Sequence, residues 1–193
     1  MNTRLRVPSK VFGSRRSRGR RADGEPTPAG TASPALLTGS DPVLIDPLED
    51  GQAGRSCSYL IRAGKTTLID PGPATSAPRV LRALETAGIG VDLILLTHLH
   101  PEAAAGAGVI AGCFPGATIA GPAGATTILT DPPTMISEMK KIYGERVEEM
   151  YGRPDAIDPG RIRELEDDAR IDLGDREIEV IATPGHTAAH LSF

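Results

Sequence analysis

Thr97-His98-Leu99-His100-Pro101-Glu102-Ala103-Ala104-Ala105-Gly106 follows directly on the apolar run Leu93-Ile94-Leu95-Leu96. That run has no polar alternation, the pattern of a short strand buried on both faces. A small-residue helix is predicted after it, over about residues 102–112. His98 and His100 therefore stand where a buried strand ends. In an extended segment residues i and i+2 point to the same side. Two imidazoles so placed can reach one ion at about 2.0–2.1 Å. A third, His186, leaves another predicted strand (residues 177–182) through Thr183-Pro184-Gly185. Three protein ligands with a position left for water is the catalytic zinc pattern, in contrast to the closed structural one. His-x-His alone also fits ordinary surface or core residues, so its neighbours carry the argument.

On the N-terminal side, Val43-Leu44-Ile45-Asp46 is a short apolar run. Residues 57–62 and 66–70 read as a hairpin around Ala63-Gly64-Lys65, and Pro71-Gly72-Pro73 ends its second strand. A helix follows, with Ser76 as N-cap, Pro78 in its first turn and Gly88 as its stop. On the C-terminal side, Thr118-Ile119-Ala120 reads as a short strand and residues 123–129 as a short helix. Ile136, Met139, Tyr143, Val147 and Met150 recur at helical steps after Asp131-Pro132, with Gly144 as a divider. The apolar face of Met135, Ile136, Met139 and Tyr143 either packs on the body or contacts an apolar substrate. Asp158-Pro159 is expected to open another helix carrying Ile162 and Leu165. Residues 171–173 and 177–182 suggest a hairpin burying Ile178, Val180 and Ala182 on one face. Hairpins followed by strand–helix units make an α/β layered domain.

Of the 193 residues, the first 40 hold eight basic and two acidic side chains; the remaining 153 hold thirteen basic and twenty-three acidic. Residues 1–40 lack apolar periodicity and are expected to be a disordered basic leader, with the folded domain over 41–193. No apolar run approaches the roughly 20 residues that span a membrane. Two cysteines, Cys57 and Cys113, make no disulfide scaffold and read as small buried hydrophobes. An acidic body with three Tyr, three Phe and no Trp argues against nucleic acid as a partner. A cytoplasmic location is expected.

The stretch from Thr97 to Gly106 resembles the T-H-x-H-x-D-H-x-G-G signature of the metallo-β-lactamase fold superfamily. Residues 58–61 with Leu68-Ile69-Asp70-Pro71-Gly72 are similar to its opening hairpin and Asp-bearing turn. Thr183-Pro184-Gly185-His186-Thr187, continued by His190-Leu191-Ser192, is similar to its T-P-G-H-T segment. The resemblance implies an α/β fold, the four-layer αβ/βα sandwich, with hydrolases like glyoxalase II as the nearest pattern. It implies metal ligation by His98, His100 and His186. It also implies support of those ligands from behind by Asp70, which as a residue reads equally well as a turn former before Pro-Gly. His190 matches a histidine that is usually structural in the family.

Two departures weaken the family's second metal site. Glu102 stands where the family has Asp, and Ala103 where it has His. Further ligands and much of the second sheet would follow the T-P-G-H-T segment, beyond Phe193. One zinc ion is therefore expected, with the second half of the fold incomplete. Either marginal stability or a partner chain supplying the missing layer should result.

Two functions stay open on these residues. The first is a metal-dependent hydrolase of a small-molecule ester, thioester or lactam, using a zinc-activated water with Glu102 and Asp70 as catalytic residues. The second is a non-catalytic truncated remnant that binds one metal ion or none. A nucleic-acid-processing member and a mononuclear-iron oxygenase rank below both.

Overall fold

The computed structural model describes residues 36–38, 41–47, 49 and 52–193. Seven strands form one sheet in chain order: β1 (Leu36–Thr38), β2 (Val43–Asp46), β3 (Ser58–Ile61), β4 (Thr67–Ile69), β5 (Leu93–Leu95), β6 (Thr118–Gly121) and β7 (Ile162–Glu164). The first four pair antiparallel, and β4 to β7 pair parallel. Strand β1 falls inside the segment assigned to the leader, so the sheet begins before residue 41. Residues 1–35 lie outside the described residues.

Parallel neighbours need crossovers, and helices supply them. Helix α1 (Ala77–Ala87) joins β4 to β5 and ends at Gly88, whose φ of 66° is left-handed. Ser76 holds the N-cap position without a side-chain cap bond. Helices α2 (Pro101–Ala104) and α3 (Ala107–Cys113) join β5 to β6. The single helix expected over 102–112 is thus two. The break lies at Gly106, whose N–H donates to the Gly72 carbonyl at 2.8 Å, while the Gly72 N–H donates to Ala103 O at 3.0 Å. A Cβ on Gly106 would stand 2.8 Å from Gly72 O and 3.2 Å from Pro73 O. Glycine lets the Asp-Pro-Gly turn dock against the start of α3.

Helices α4 (Ala125–Thr130), α5 (Pro132–Tyr143) and α6 (Val147–Tyr151) fill the crossover from β6 to β7. The helix expected from Asp158-Pro159 is only a 3₁₀ turn, Pro159–Arg161, and Ile162–Glu164 is the seventh strand, with Ile162 opposite Ile119. An open edge on β6 offers three residues a ladder that a helix of that length cannot match. The hairpin β8 (Arg170–Asp172) and β9 (Glu177–Glu179) forms as expected. The chain then leaves it: Ile181–Ala182 (β10) pairs with Leu191–Ser192 (β11). Ile178 and Val180 are buried, whereas Ala182 is exposed because it belongs to this second ribbon.

The sheet divides two cores by side-chain alternation. Ile94 and Leu96 face the helices with Ile45, Leu60, Leu68 and Ile119. Leu93 and Leu95 face the β8–β9 hairpin with Leu173, Ile178, Val180 and Leu191. This is the double-sided burial read from the β5 sequence. Gly64 ties the hairpin on: a Cβ there would meet Leu173 O at 2.6 Å, and Lys65 N donates to the same oxygen at 2.7 Å. Both cysteines are free; Cys57 is exposed and Cys113 half-buried, so neither is the buried hydrophobe expected. Among the described residues no helix is long and apolar enough to cross a membrane.

Candidate metal centre

The site lies where β4 and β5 end. Parallel pairing sets Ile69 opposite Leu95, so Asp70, one residue past Ile69, and Thr97, two past Leu95, come together. Asp70 has a φ of 48°, a left-handed conformation that Asp tolerates better than most residues. Its carboxylate accepts from the Thr97 N–H at 2.8 Å and from the Thr97 hydroxyl at 2.7 Å. That hydroxyl also lies 2.8 Å from His98 Nδ1. A hydroxyl carries one proton. Given to the carboxylate, it leaves a lone pair for His98, so His98 must carry its proton on Nδ1. The bare nitrogen is then Nε2, a buried atom with no partner in the protein.

That bare nitrogen faces a cluster. One ligand-type atom each from His98, His100, Glu102 and His186 lies within 4.8 Å of the others. His100 Nδ1 and His186 Nε2 are 3.1 Å apart. Glu102 Oε1 is 3.4 Å from His100 Nδ1 and 3.8 Å from both His98 Nε2 and His186 Nε2. Ligands held about 2.0–2.1 Å from a tetrahedral ion stand roughly 3.3 Å apart, so these separations suit one small cation. Glu102 Oε2 is a second buried atom without a partner. Two orphaned polar atoms on residues of this cluster, both of ligating type, fit a metal ion.

The protonation states agree. Burial holds His100 below the usual imidazole range, with His98 and His186 adding to this against the opposing charge of Glu102. Neutral imidazole is the ligating form. Burial pushes Glu102 up, but its own backbone N–H and the neighbouring imidazoles outweigh that and keep it below the usual carboxylate range. Burial raises Asp70 despite the two Thr97 bonds.

His186 arrives from the far end of the chain. Leu191 N donates to Thr97 O at 2.8 Å, joining β11 to the end of β5. His190 stacks on His98 with ring centroids 5.3 Å apart and 25° between planes, and its Nδ1 lies 2.9 Å from Thr183 Oγ1. His190 thus props the His98 ring. His98, His100, Glu102 and His186 therefore meet in space, while Asp70 bonds to none of them and is linked to His98 through Thr97. The linking role of Thr97 was missed in the sequence. The available signal was that two adjacent parallel strands both end on a polar residue.

Residues 51–193 match the model of the metallo-beta-lactamase superfamily. The chain belongs to that superfamily. Over 130 residues it is 33% identical to a hydroxyacylglutathione hydrolase of Acidiphilium cryptum (strain JF-5), covering 67% of this chain and 40% of that protein. It superposes with a TM-score of 0.60 on an archaeal metallo-beta-lactamase superfamily protein from Sulfolobus tokodaii, at 25% identity, covering 70% of this chain and 52% of that one. A subclass B3 metallo-beta-lactamase isolated from a soil metagenome library gives a TM-score of 0.56 at 26% identity, covering 70% of this chain and 49% of that one. The chain thus spans about half or less of the length of these superfamily members.

Proposed function

We propose that the chain is a metal-dependent hydrolase acting on an ester, thioester or lactam of a small molecule. The observation that carries this reading is the cluster of His98, His100, Glu102 and His186 ligand atoms within 4.8 Å, with His98 Nε2 and Glu102 Oε2 buried and unpartnered. His98 Nε2, His100 Nδ1 and His186 Nε2 would hold one zinc ion. Zinc bound there would lower the pKa of a bound water to about 7 and polarise a carbonyl oxygen. Glu102, held ionised among the imidazoles, orients a water and accepts its proton. Asp70 and Thr97 keep the His98 proton on Nδ1, away from the site. The exposure of His186 leaves a small substrate one open side from which to approach.

One observation favours a second reading. Glu102 Oε1 stands 3.4–3.8 Å from three imidazole nitrogens, where a fourth ligand belongs. A closed three-His, one-Glu site would bind metal without catalysis. Metal analysis of the purified protein, of His100→Ala and of Glu102→Gln separates the two. The hydrolase reading expects one zinc in wild type and in Glu102→Gln, loss of zinc in His100→Ala, and loss of thioester hydrolysis in both variants. If Glu102→Gln sheds the metal as readily as His100→Ala, the closed site holds. Wild-type protein that takes up no metal overturns both.

A further inference from the structure

A cavity of about 310 Å³ adjoins the cluster, and His100 belongs to both. Its other walls include Leu99, Ile128 of α4, and Met135 and Met139 of α5; Thr187, next to His186, also lines it. The face expected at 135–143 has therefore split. Met135 and Met139 turn inward, 1% and 7% exposed, while Tyr143 packs on Tyr151 with ring centroids 5.2 Å apart. Glu138 is the one charged residue among those lining the cavity, and its carboxylate pairs with the exposed Lys141.

Resting on the hydrolase reading, we infer that this cavity receives the acyl part of the substrate: a neutral, unbranched apolar chain of a few carbons. Ligand cavities run from about 300 to 1,000 Å³, so this one takes a fragment of a molecule, not the whole. A carbonyl beside His100 leaves its alkyl chain against Leu99 and Ile128. Two methionines adapt to a flexible chain better than branched residues do. An acyl chain ending in a carboxylate would have to shed its water against these apolar walls, a cost a methyl end does not carry.

Two readouts on the full-length, zinc-loaded protein test this. In the first, protein labelled with 13C at the methionine methyls is titrated with hexanamide, an uncharged probe that needs no turnover. Met135 and Met139 methyls should shift saturably, Met150 should not, and Ile128→Trp should abolish the shifts. In the second, N-acetylcysteamine thioesters of acetyl, propionyl, butyryl and hexanoyl groups are compared by kcat/KM. Each added methylene should raise it about fourfold until the cavity is full. Butyryl should exceed succinyl by tenfold or more. A flat chain-length profile, or methyls that ignore hexanamide, overturns the inference even if hydrolysis is brisk. Methyl shifts with no turnover of any thioester overturn the thioester form of the hydrolase reading and the acyl assignment with it, while the cavity's binding of a neutral chain stands. Both wild-type readouts decide the matter even if Ile128→Trp does not fold.

Discussion

Asp70→Asn should invert one proton and little else. The Asp70 carboxylate now takes two bonds, 2.8 Å from the Thr97 N–H and 2.7 Å from the Thr97 hydroxyl, and the hydroxyl lies 2.8 Å from His98 Nδ1. An asparagine must aim its carbonyl oxygen at the Thr97 N–H, since two donors cannot face each other. Its NH₂ then points at the hydroxyl, which accepts and turns its own proton onto His98 Nδ1. The imidazole proton moves to Nε2, so a donor faces the place where a cation needs a lone pair. All three bonds survive, with the polarity of two reversed. Partners that orient a metal-bound histidine are worth about 10–100-fold in affinity, or roughly 1.4–2.8 kcal/mol. The stability of metal-free protein should stay within about 1 kcal/mol, because no bond is lost. Burial raises the Asp70 pKa in the folded state. Folding is therefore most favoured below the unfolded-state pKa and loses stability as pH rises through the folded one. Asp70→Asn should remove that decline. The assay is zinc competition against a chromophoric chelator at pH 7.5, with urea unfolding of metal-free protein from pH 4 to 7. Thr97→Ser should bind zinc as wild type does, and Thr97→Val should weaken binding as Asp70→Asn does. Wild-type zinc affinity in a folded Asp70→Asn protein would refute the proton argument, as would equal behaviour of Thr97→Ser and Thr97→Val.

Gly106→Ala puts a methyl 2.8 Å from Gly72 O and 3.2 Å from Pro73 O, both backbone atoms that cannot turn aside. It should cost about 1–3 kcal/mol in urea unfolding and also lower zinc affinity, because the turn carrying Asp70 must move. Arg161 donates to the Ala111, Phe114 and Ala117 carbonyls at 2.7–3.1 Å, closing the C-terminal end of α3. Arg161→Ala leaves those oxygens short of donors and should cost about 2 kcal/mol or more by the same assay, with zinc affinity unchanged.

The sequence was most legible where a local pattern and a tertiary need coincide. The β5 run, the β3–β4 turn at Gly64 and the β8–β9 turn at Gly174-Asp175 each announce themselves in fewer than ten residues. The three histidines and Glu102 follow from strand ends plus a family resemblance. Illegible were elements whose only support is a distant partner. Ile162–Glu164 has no period of its own and is a strand because β6 offers an edge. The two-residue β10 and β11 exist through each other. The break at Gly106 depends on a turn more than thirty residues earlier, and the role of Thr97 on a register linking Ile69 to Leu95. No window along the chain contains that information.

The same distinction bears on how the cluster assembles. His98, His100 and Glu102 sit within five residues, on the end of a fully buried strand and the first turn of α2, so folding the sheet presets them. His186 depends on a long-range closure: Leu191 N to Thr97 O, and His190 stacked on His98. Those contacts fall on Thr97 and His98, the two residues that also transmit the effect of Asp70. The Asp70–Thr97–His98 line therefore sets the bare nitrogen on one ligand and anchors the segment that delivers another. Damage to that line should weaken metal binding more than removing His190 from the stack, which touches only the second of those roles.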